Sequence, residues 1–123
     1  MLAVDPKDPT PLYAQLERAI RVAIATGNMK AGDQLPTVRQ LAVELRINAN
    51  TVARVYLALE RDGVVETKRG VGTFISDNRA QIFEPHRERR LQSVLDRFLT
   101  EAAALGYTPR EAVRALTRRV KGE

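Results

Sequence analysis

A chain of 123 residues, 44% of them hydrophobic, is large enough for one compact domain with a short extension, and its formal net charge of +5 is compatible with a nucleic-acid partner without requiring one. The sequence contains no cysteine, which excludes disulfides, thiol catalysis and cysteine-based metal sites. Because no stretch resembles a signal peptide or approaches the roughly 20 apolar residues of a membrane span, we expect a cytoplasmic protein with no membrane partner.

The first predicted helix follows a proline-rich arm, Asp5 to Pro11. Pro11 suits the first turn because its missing N–H costs little at that position. Apolar residues then recur at helical spacing: Leu12, Leu16, Ile20, Ala23 and Ile24. Gly27 is a natural end for this helix, because glycine readily adopts the positive φ found after a helix C-terminus. Residues 28–34, which hold Gly32 and polar residues, indicate a loop.

The next stretch, residues 35–59, predicts two short helices joined by a tight turn. Thr37 opens the first of them, with Gln40 at the spacing of a capping box. Asn48 is a favourable cap for the second, because its side-chain oxygen can accept an otherwise unpaired backbone N–H. The apolar stripes expected to face the core are Val38, Leu41, Ala42 and Leu45 in the first helix and Val52, Val55, Tyr56 and Leu59 in the second.

The first turn of the second helix has a different character. Apart from Ala49 its side chains form hydrogen bonds, all of them are small and uncharged, and arginines flank the turn. Such a surface suits the major groove of DNA, where amides and hydroxyls can bond to base edges. Asn48 is expected to act as a helix cap first and as a DNA contact second. The candidate DNA contacts in this helix are Asn48, Ala49, Asn50, Thr51 and Arg54.

After Gly63 the pattern changes to two short β-branched runs, 64–68 and 73–76, separated by the glycine-rich residues 69–72. The pair predicts a β-hairpin. Its glycines are explained simply by a turn that needs positive φ, and Lys68 and Arg69 by the charges that protect edge strands. The bare backbone at Gly70 also allows close approach to phosphates or entry into the minor groove, with Lys68 and Arg69 beside it. Three helices and a hairpin are the layout of a winged helix-turn-helix.

Two further helices are predicted in residues 77–123. The first begins at Arg87 and ends before Gly106, and Thr108, Pro109 and Glu111 open the second. The apolar stripe of the first is more than one small winged helix can cover, and an uncovered remainder is typical of an interface. Pairing with a second copy would give a two-fold homodimer. The predicted dimer-interface residues are Leu91, Val94, Leu95, Phe98, Leu99 and Ala102.

Several motifs, taken in chain order, resemble those of the GntR family of bacterial transcription regulators. Residues 12–16 resemble the start of the family's first helix, residues 35–42 the opening of its second, and residues 48–52 the start of its recognition helix. Residues 59–63 and 69–74 resemble the exit from that helix and the wing. The match covers about residues 10–76 with family-like spacing, so it implies a winged helix-turn-helix DNA-binding domain there.

The resemblance also assigns roles to matching positions. Arg39, which taken alone would be a solvated helix arginine, matches an arginine that contacts DNA phosphate or base edges. Gly70 matches the wing tip that enters the minor groove. Ala49 and Ala53 depart from the pattern, because some members carry guanine-reading arginines there, whereas alanine offers only an apolar contact such as one to a thymine methyl. The operators of better-known members therefore do not transfer to this chain.

The short tail narrows the resemblance further. Two helices are too few to enclose a ligand cavity of roughly 300 Å³ or more by themselves, unlike the metabolite-binding domains of large GntR subfamilies. Such a tail is similar to that of the YtrA-like subfamily, in which it serves dimerisation. Members of that subfamily typically repress operons, often those that encode ABC transporters. Whether a small-molecule effector exists stays open.

The sequence therefore predicts a mostly α fold with a small β-hairpin: a winged helix-turn-helix at residues 10–76 and a two-helix dimerisation tail at residues 77–123. The predicted function is a sequence-specific transcription regulator, a repressor that binds a palindromic double-stranded operator as a homodimer, with half-sites roughly 34 Å apart and a transporter operon as a candidate target. The alternative is a winged-helix module that binds a partner protein. The sequence shows no acid–base, nucleophile or metal arrangement and has a single histidine, His86, so we expect neither an enzyme nor a cofactor.

Overall fold

The computed structural model describes residues 2–77 and 86–122 of the chain. It divides into two compact units, Met1–Glu84 and Pro85–Glu123, which we call the winged-helix unit and the tail unit. The winged-helix unit contains the helices α1 (Leu12–Ala25), α2 (Val38–Leu45) and α3 (Ala49–Arg61), followed by the strands β1 (Val65–Lys68) and β2 (Gly72–Ile75). The tail unit contains α4 (Arg87–Ala104) and α5 (Pro109–Val120). The predicted mostly helical fold with one hairpin is confirmed. None of the described helices is long and apolar enough to cross a membrane.

Local capping signals set the ends of α2 and α3. The Thr37 hydroxyl oxygen accepts the Gln40 N–H at 3.1 Å, while the Gln40 side-chain oxygen accepts the Thr37 N–H at 2.9 Å, so the predicted capping box is present. After α2, Arg46 adopts the left-handed conformation with φ +58°. This conformation is uncommon outside glycine, and it lets the chain reverse so that α3 can begin within a few residues.

The core of the winged-helix unit lies where α1 and α2 both pack against α3. Its buried residues include the whole predicted stripe of α3, part of the stripes of α1 and α2, and the base of the hairpin: Leu16, Ile20, Ile24, Leu35, Leu41, Ala42, Val52, Val55, Tyr56, Leu59, Val64, Val65 and Ile75. Leu12, Ala23, Val38 and Leu45 of the predicted stripes are half-buried. The Tyr56 hydroxyl donates a 2.7 Å hydrogen bond to the Pro36 carbonyl, and burial raises the pKa of Tyr56 to about 12. This tyrosine is therefore a core residue, and it anchors the buried side of α3.

The hairpin differs from the sequence prediction by one residue at three points. Val64 precedes β1, because its N–H donates to the Leu59 carbonyl at 2.9 Å and Gly63 donates to Glu60 at 3.0 Å, a pair of bonds that closes the end of α3. Gly72 belongs to β2, where it pairs with Lys68, and Ser76 lies beyond the strand. The strands are antiparallel, so residues 69–71 form the tip.

In the tail unit, α4 and α5 pack against each other. Local sequence signals define the end of α4 and the start of α5. Gly106 follows α4 with φ +94°. Thr108 and Glu111 form a second capping box, with hydrogen bonds of 2.9 and 3.1 Å, and Pro109 is the first helical residue. Ala112 is the one buried residue among those described in this unit. The tail unit therefore has almost no core of its own.

Candidate nucleic-acid interface

The N-terminal turn of α3 presents the side chains that the sequence singled out. The side-chain oxygen of Asn48 accepts the Asn50 N–H at 2.7 Å, so Asn48 caps the helix as predicted. That bond leaves its amide N–H groups as donors. Ala49 and Asn50 are exposed and Thr51 is half-buried. Because a helix N-terminus also carries partial positive charge, this turn can bind both base edges and phosphate oxygens.

Arg54 has a partner that the sequence did not reveal. Its guanidinium carbon lies 3.9 Å from the centre of the Tyr13 ring, which belongs to α1. A guanidinium stacked in this way is held by the ring's electrons and keeps its N–H donors at its edges. Arg54, Asn50 and Ala53 share a surface depression with Tyr13 and Glu17. Tyr13 therefore joins the candidate interface; the sequence placed it in a helix-start motif but gave no sign of this stacking.

Arg39 occupies the second position of α2 and is exposed. In the part of the chain that the structure describes, no ion pair or hydrogen bond engages its side chain. Its long side chain is therefore available to an external phosphate or base. The DNA roles of Arg39 and of the α3 turn stay predictions.

The wing carries two cations and an open tip. Lys68 extends over the Phe74 ring, with its ammonium nitrogen 4.8 Å from the ring centre, and Arg69 is exposed. Gly70 has φ +75°, and a Cβ added there would meet no atom within 4 Å. Glycine is thus needed at Gly70 for its backbone conformation rather than for space, and the tip is sterically open to a duplex.

Gln34 supports this wing, although the sequence predicted only an ordinary loop at this position. Its side-chain nitrogen donates to the Val71 carbonyl at 3.2 Å, and its backbone forms a β-bridge with Phe74. The flanking bonds, Leu35 N–H to Thr73 and Ile75 N–H to Asp33, are both 2.8 Å. A Cβ on Gly72 would lie 2.3 Å from the Gln34 side-chain nitrogen. Residues 33–35 therefore pair with β2 in the manner of a short third strand and hold the hairpin in place.

Two side-chain bonds tie α3 to its neighbours. The Thr67 hydroxyl donates to the Glu60 carboxylate, which joins β1 to the last turn of α3. Arg21 of α1 donates to Asp62, the residue that follows α3, at 3.0 Å. These bonds are exposed, so each contributes little free energy; they join the C-terminal end of α3 to β1 and to α1.

The predicted dimer residues form an apolar face on α4. Leu91 is 53% exposed, Val94 47% and Leu95 38%, while Phe98, Leu99 and Ala102 are half-buried. Apolar side chains at spacings of three and four share one side of a helix, so these residues form a continuous patch. Its pairing with a second copy stays a prediction.

Among the described residues, no cluster of His, Asp or Glu is arranged to hold a metal ion.

Comparison with known proteins places this geometry among bacterial regulators. A model of the bacterial regulatory proteins of the gntR family matches residues 12–75. The chain is 46% identical over 78 residues to the HTH-type transcriptional repressor YtrA of Bacillus subtilis, a match that covers 63% of this chain and 60% of that protein. It is 40% identical over 116 residues to the HTH-type transcriptional regulator Rv1152 of Mycobacterium tuberculosis, covering 94% and 91%. A GntR family transcriptional regulator from Listeria monocytogenes superposes with a TM-score of 0.72 at 29% identity, covering 94% of this chain and 98% of that one.

Proposed function

Because this chain belongs to the GntR family and is a DNA-binding transcription regulator with a winged helix-turn-helix, we propose that it is a repressor that binds a palindromic operator as a homodimer. The observation that carries the proposal is the match over residues 12–75, which spans every element of the candidate interface. A relative named as a repressor, YtrA of Bacillus subtilis, supports the direction of control. The family's members and these relatives are transcription regulators, and the proposal assigns this chain no reaction and no cofactor.

In the proposed complex, α3 lies in the major groove with its N-terminal turn toward the bases. Asn50 and Thr51 would bond to base edges and Ala49 would make an apolar contact. Asn48 would keep its capping bond and offer its amide donors to the same groove. Arg39, at the start of α2, would bind a phosphate or a base beside them. Four of these five residues are exposed and Thr51 is half-buried, while the opposite side of α3 is buried, which supports this orientation.

The backbone contacts would come from two other places. Lys68, Arg69 and Gly70 would hold the wing on phosphates or in the minor groove, which the open wing tip supports. Arg54 would bind a phosphate while stacked on Tyr13, a geometry that fixes the guanidinium before DNA arrives. These contacts carry no sequence information themselves but set the register of α3.

The tail, residues 77–123, would supply the dimer through the apolar face of α4. A two-fold dimer places two recognition helices about one turn of DNA apart, roughly 34 Å, and so requires a palindromic operator. The protein would act in the cytoplasm. A transporter operon is the target favoured by the likeness to YtrA-like regulators.

The test is a gel-shift titration of the full chain on a duplex from upstream of its own gene, with a random duplex as control at two salt concentrations. Arg39→Ala and Asn50→Ala should each weaken operator binding by about 1–3 kcal/mol, because each removes a direct contact. Arg18→Ala, an exposed arginine of α1 with no proposed role, should bind like the parent. Circular dichroism would establish that all three variants are folded.

Three results would count against the proposal. Unchanged operator affinity in both Arg39→Ala and Asn50→Ala would reject the assigned contacts. Equal affinity for operator and random duplex, with steep salt dependence, would leave only non-specific binding. No binding to either duplex at low salt would favour the other candidate, a winged-helix module that binds a partner protein. In that case duplex DNA would not compete with the partner for the surface.

A further inference from the structure

The winged-helix unit contains a groove that none of the proposed DNA contacts lines. It measures about 660 Å³ and is bounded by α1, by residues 28–36 and by α2. Buried core residues, Leu35, Leu41 and Ile75, form its floor. Apolar residues of α1 form one wall, and Leu2 and Ala3 of the N-terminal arm lie at its border. The volume falls within the roughly 300–1,000 Å³ typical of sites for small molecules.

The polar groups of the groove are all neutral or acidic. Asp33 and Glu44 contribute exposed carboxylates, and Asn28 and Gln34 contribute amides. No arginine, lysine or histidine is among its described lining residues. One oxygen of Asp33 accepts the Lys30 N–H at 2.9 Å, which orients the carboxylate and leaves its second oxygen available. An apolar floor with only negative charge at the rim complements a molecule with an apolar body and one positive charge.

The same groove is mechanically connected to the wing. Gln34 lines it and donates to the Val71 carbonyl at 3.2 Å. Because a Cβ on Gly72 would come within 2.3 Å of the Gln34 side chain, Gln34 has no room to move toward the hairpin without displacing it. Pro36, also in the lining, accepts the 2.7 Å bond from Tyr56 of α3. A molecule that displaces residues 33–36 therefore acts on both proposed DNA-contacting elements.

We propose that this groove is the effector site of the regulator, that it binds a small amphipathic cation such as an alkyl- or arylammonium compound, and that Gln34 transmits its occupancy to the wing. Asp33 and Glu44 bind the positive charge, and Leu35, Leu41 and the α1 wall bind the apolar body. The transmission step rests on the proposed DNA-binding function, whereas binding in the groove does not.

Binding is tested on the full chain without DNA, by isothermal titration with octyltrimethylammonium below its micelle concentration and with octanoate as the matched anion. The cation should bind saturably, one per chain, and at least about tenfold more tightly than octanoate. The double variant Asp33→Asn, Glu44→Gln should lose that preference, while Glu66→Gln, an exposed acid outside the groove, should keep it. Ala23→Phe or Ala19→Leu, which fill the groove from the α1 wall, should abolish binding, and Val43→Phe on exposed α2 surface should not.

Transmission is tested by operator affinity with and without the cation. The cation should change that affinity in the parent chain. Gln34→Ala, compared at a cation concentration that titration shows to saturate it, should show no change in operator affinity. An unchanged response in Gln34→Ala would overturn the transmission route.

Absence of saturable cation binding, or equal binding of octanoate, would overturn the site. Dissociation of dimers in Ala23→Phe, seen by light scattering, would assign the groove to a second copy and also overturn it. A chain that binds the cation but never binds DNA would reject the proposed function and leave the site standing.

Discussion

The two units of this chain treat their apolar residues in opposite ways. The winged-helix unit buries 13 hydrophobic residues in one cluster to which all three helices and both strands contribute, whereas the described part of the tail unit buries Ala112 alone. Isolated helices of this length are marginal in water, because most helical stability in proteins comes from packing. The first unit therefore has a core that stabilises its helices, whereas the tail unit has almost none, as expected if the proposed dimer covers its apolar face.

Charge divides the units as well. Met1–Glu84 contains 11 Lys and Arg against ten Asp and Glu, whereas Pro85–Glu123 contains nine against five. Nearly all of the net charge of +5 thus lies outside the DNA-binding unit. That unit cannot depend on a general positive field to attract DNA. In the proposed complex its affinity depends on a few placed cations, chiefly Arg39, Lys68 and Arg69, which makes single substitutions informative.

The largest expected effect is on the tail. Leu95→Asp or Phe98→Asp places a charge in the apolar face of α4 and should produce monomers. Operator affinity should fall by about two orders of magnitude or more, because the second half-site is no longer bound by a linked protomer. Light scattering gives the mass and gel shift gives the affinity.

The matched control for the tail is Thr100→Asp, an exposed position on the opposite side of α4 by helical spacing. It should leave mass and affinity unchanged. If Leu95→Asp and Phe98→Asp also kept the parental mass, the tail would not be the dimer interface and the contrast between the units would need another explanation.

In the winged-helix unit, Leu59→Ala should lower the free energy of unfolding by about 2–5 kcal/mol, because it leaves a cavity beneath α3. Leu105→Ala in the tail, at a side chain that is 78% exposed, should change it by less than about 0.5 kcal/mol. Urea denaturation at one fixed protein concentration measures both. Equal losses would mean that Leu105 is covered in solution and that the tail is packed as well as the first unit.

The features that could be predicted from the sequence are those that depend on residues close together in the chain, namely the helix ends and the buried side of α3. The capping boxes at Thr37 and Thr108 and the glycines after α1, α3 and α4 are local signals, and the helices begin and end beside them. Apolar spacing likewise gave the buried side of α3. The support of Val71 by Gln34, and the stacking of Arg54 on Tyr13, join residues far apart in sequence, and no spacing rule reports such pairs.

The hairpin of the winged-helix unit is also tightly packed, at the contact between Gly72 and Gln34. Substitution of two glycines, one in each unit, tests this packing. Gly72 has φ +150° and Gly106 has φ +94°, conformations that L residues rarely adopt, so alanine costs backbone strain of about 1–3 kcal/mol at each site. A Cβ meets Gln34 at Gly72 and nothing within 4 Å at Gly106. Gly72→Ala should therefore cost more than Gly106→Ala, and Gln34→Ala should recover the excess in a double-mutant cycle of unfolding free energies. Additive losses would show that Gln34 yields without resistance.

The smallest effect separates the two capping boxes by pH. The box of α2 uses Gln40, which does not titrate, whereas the box of α5 uses Glu111, whose pKa is lowered from its usual 4.5 by hydrogen bonds from the Thr108 backbone N–H and side chain. Because the folded pKa lies below the unfolded one, the stabilisation by this carboxylate is present above pH 4.5 and is lost as the pH falls through the folded value. The helical circular dichroism signal of the parent should therefore fall more than that of Glu111→Gln between pH 5 and the folded value, since glutamine keeps the acceptor without the charge. Superimposable acid titrations would mean that the cap of α5 does not depend on charge, and that both units hold their helix ends by the same neutral bonds.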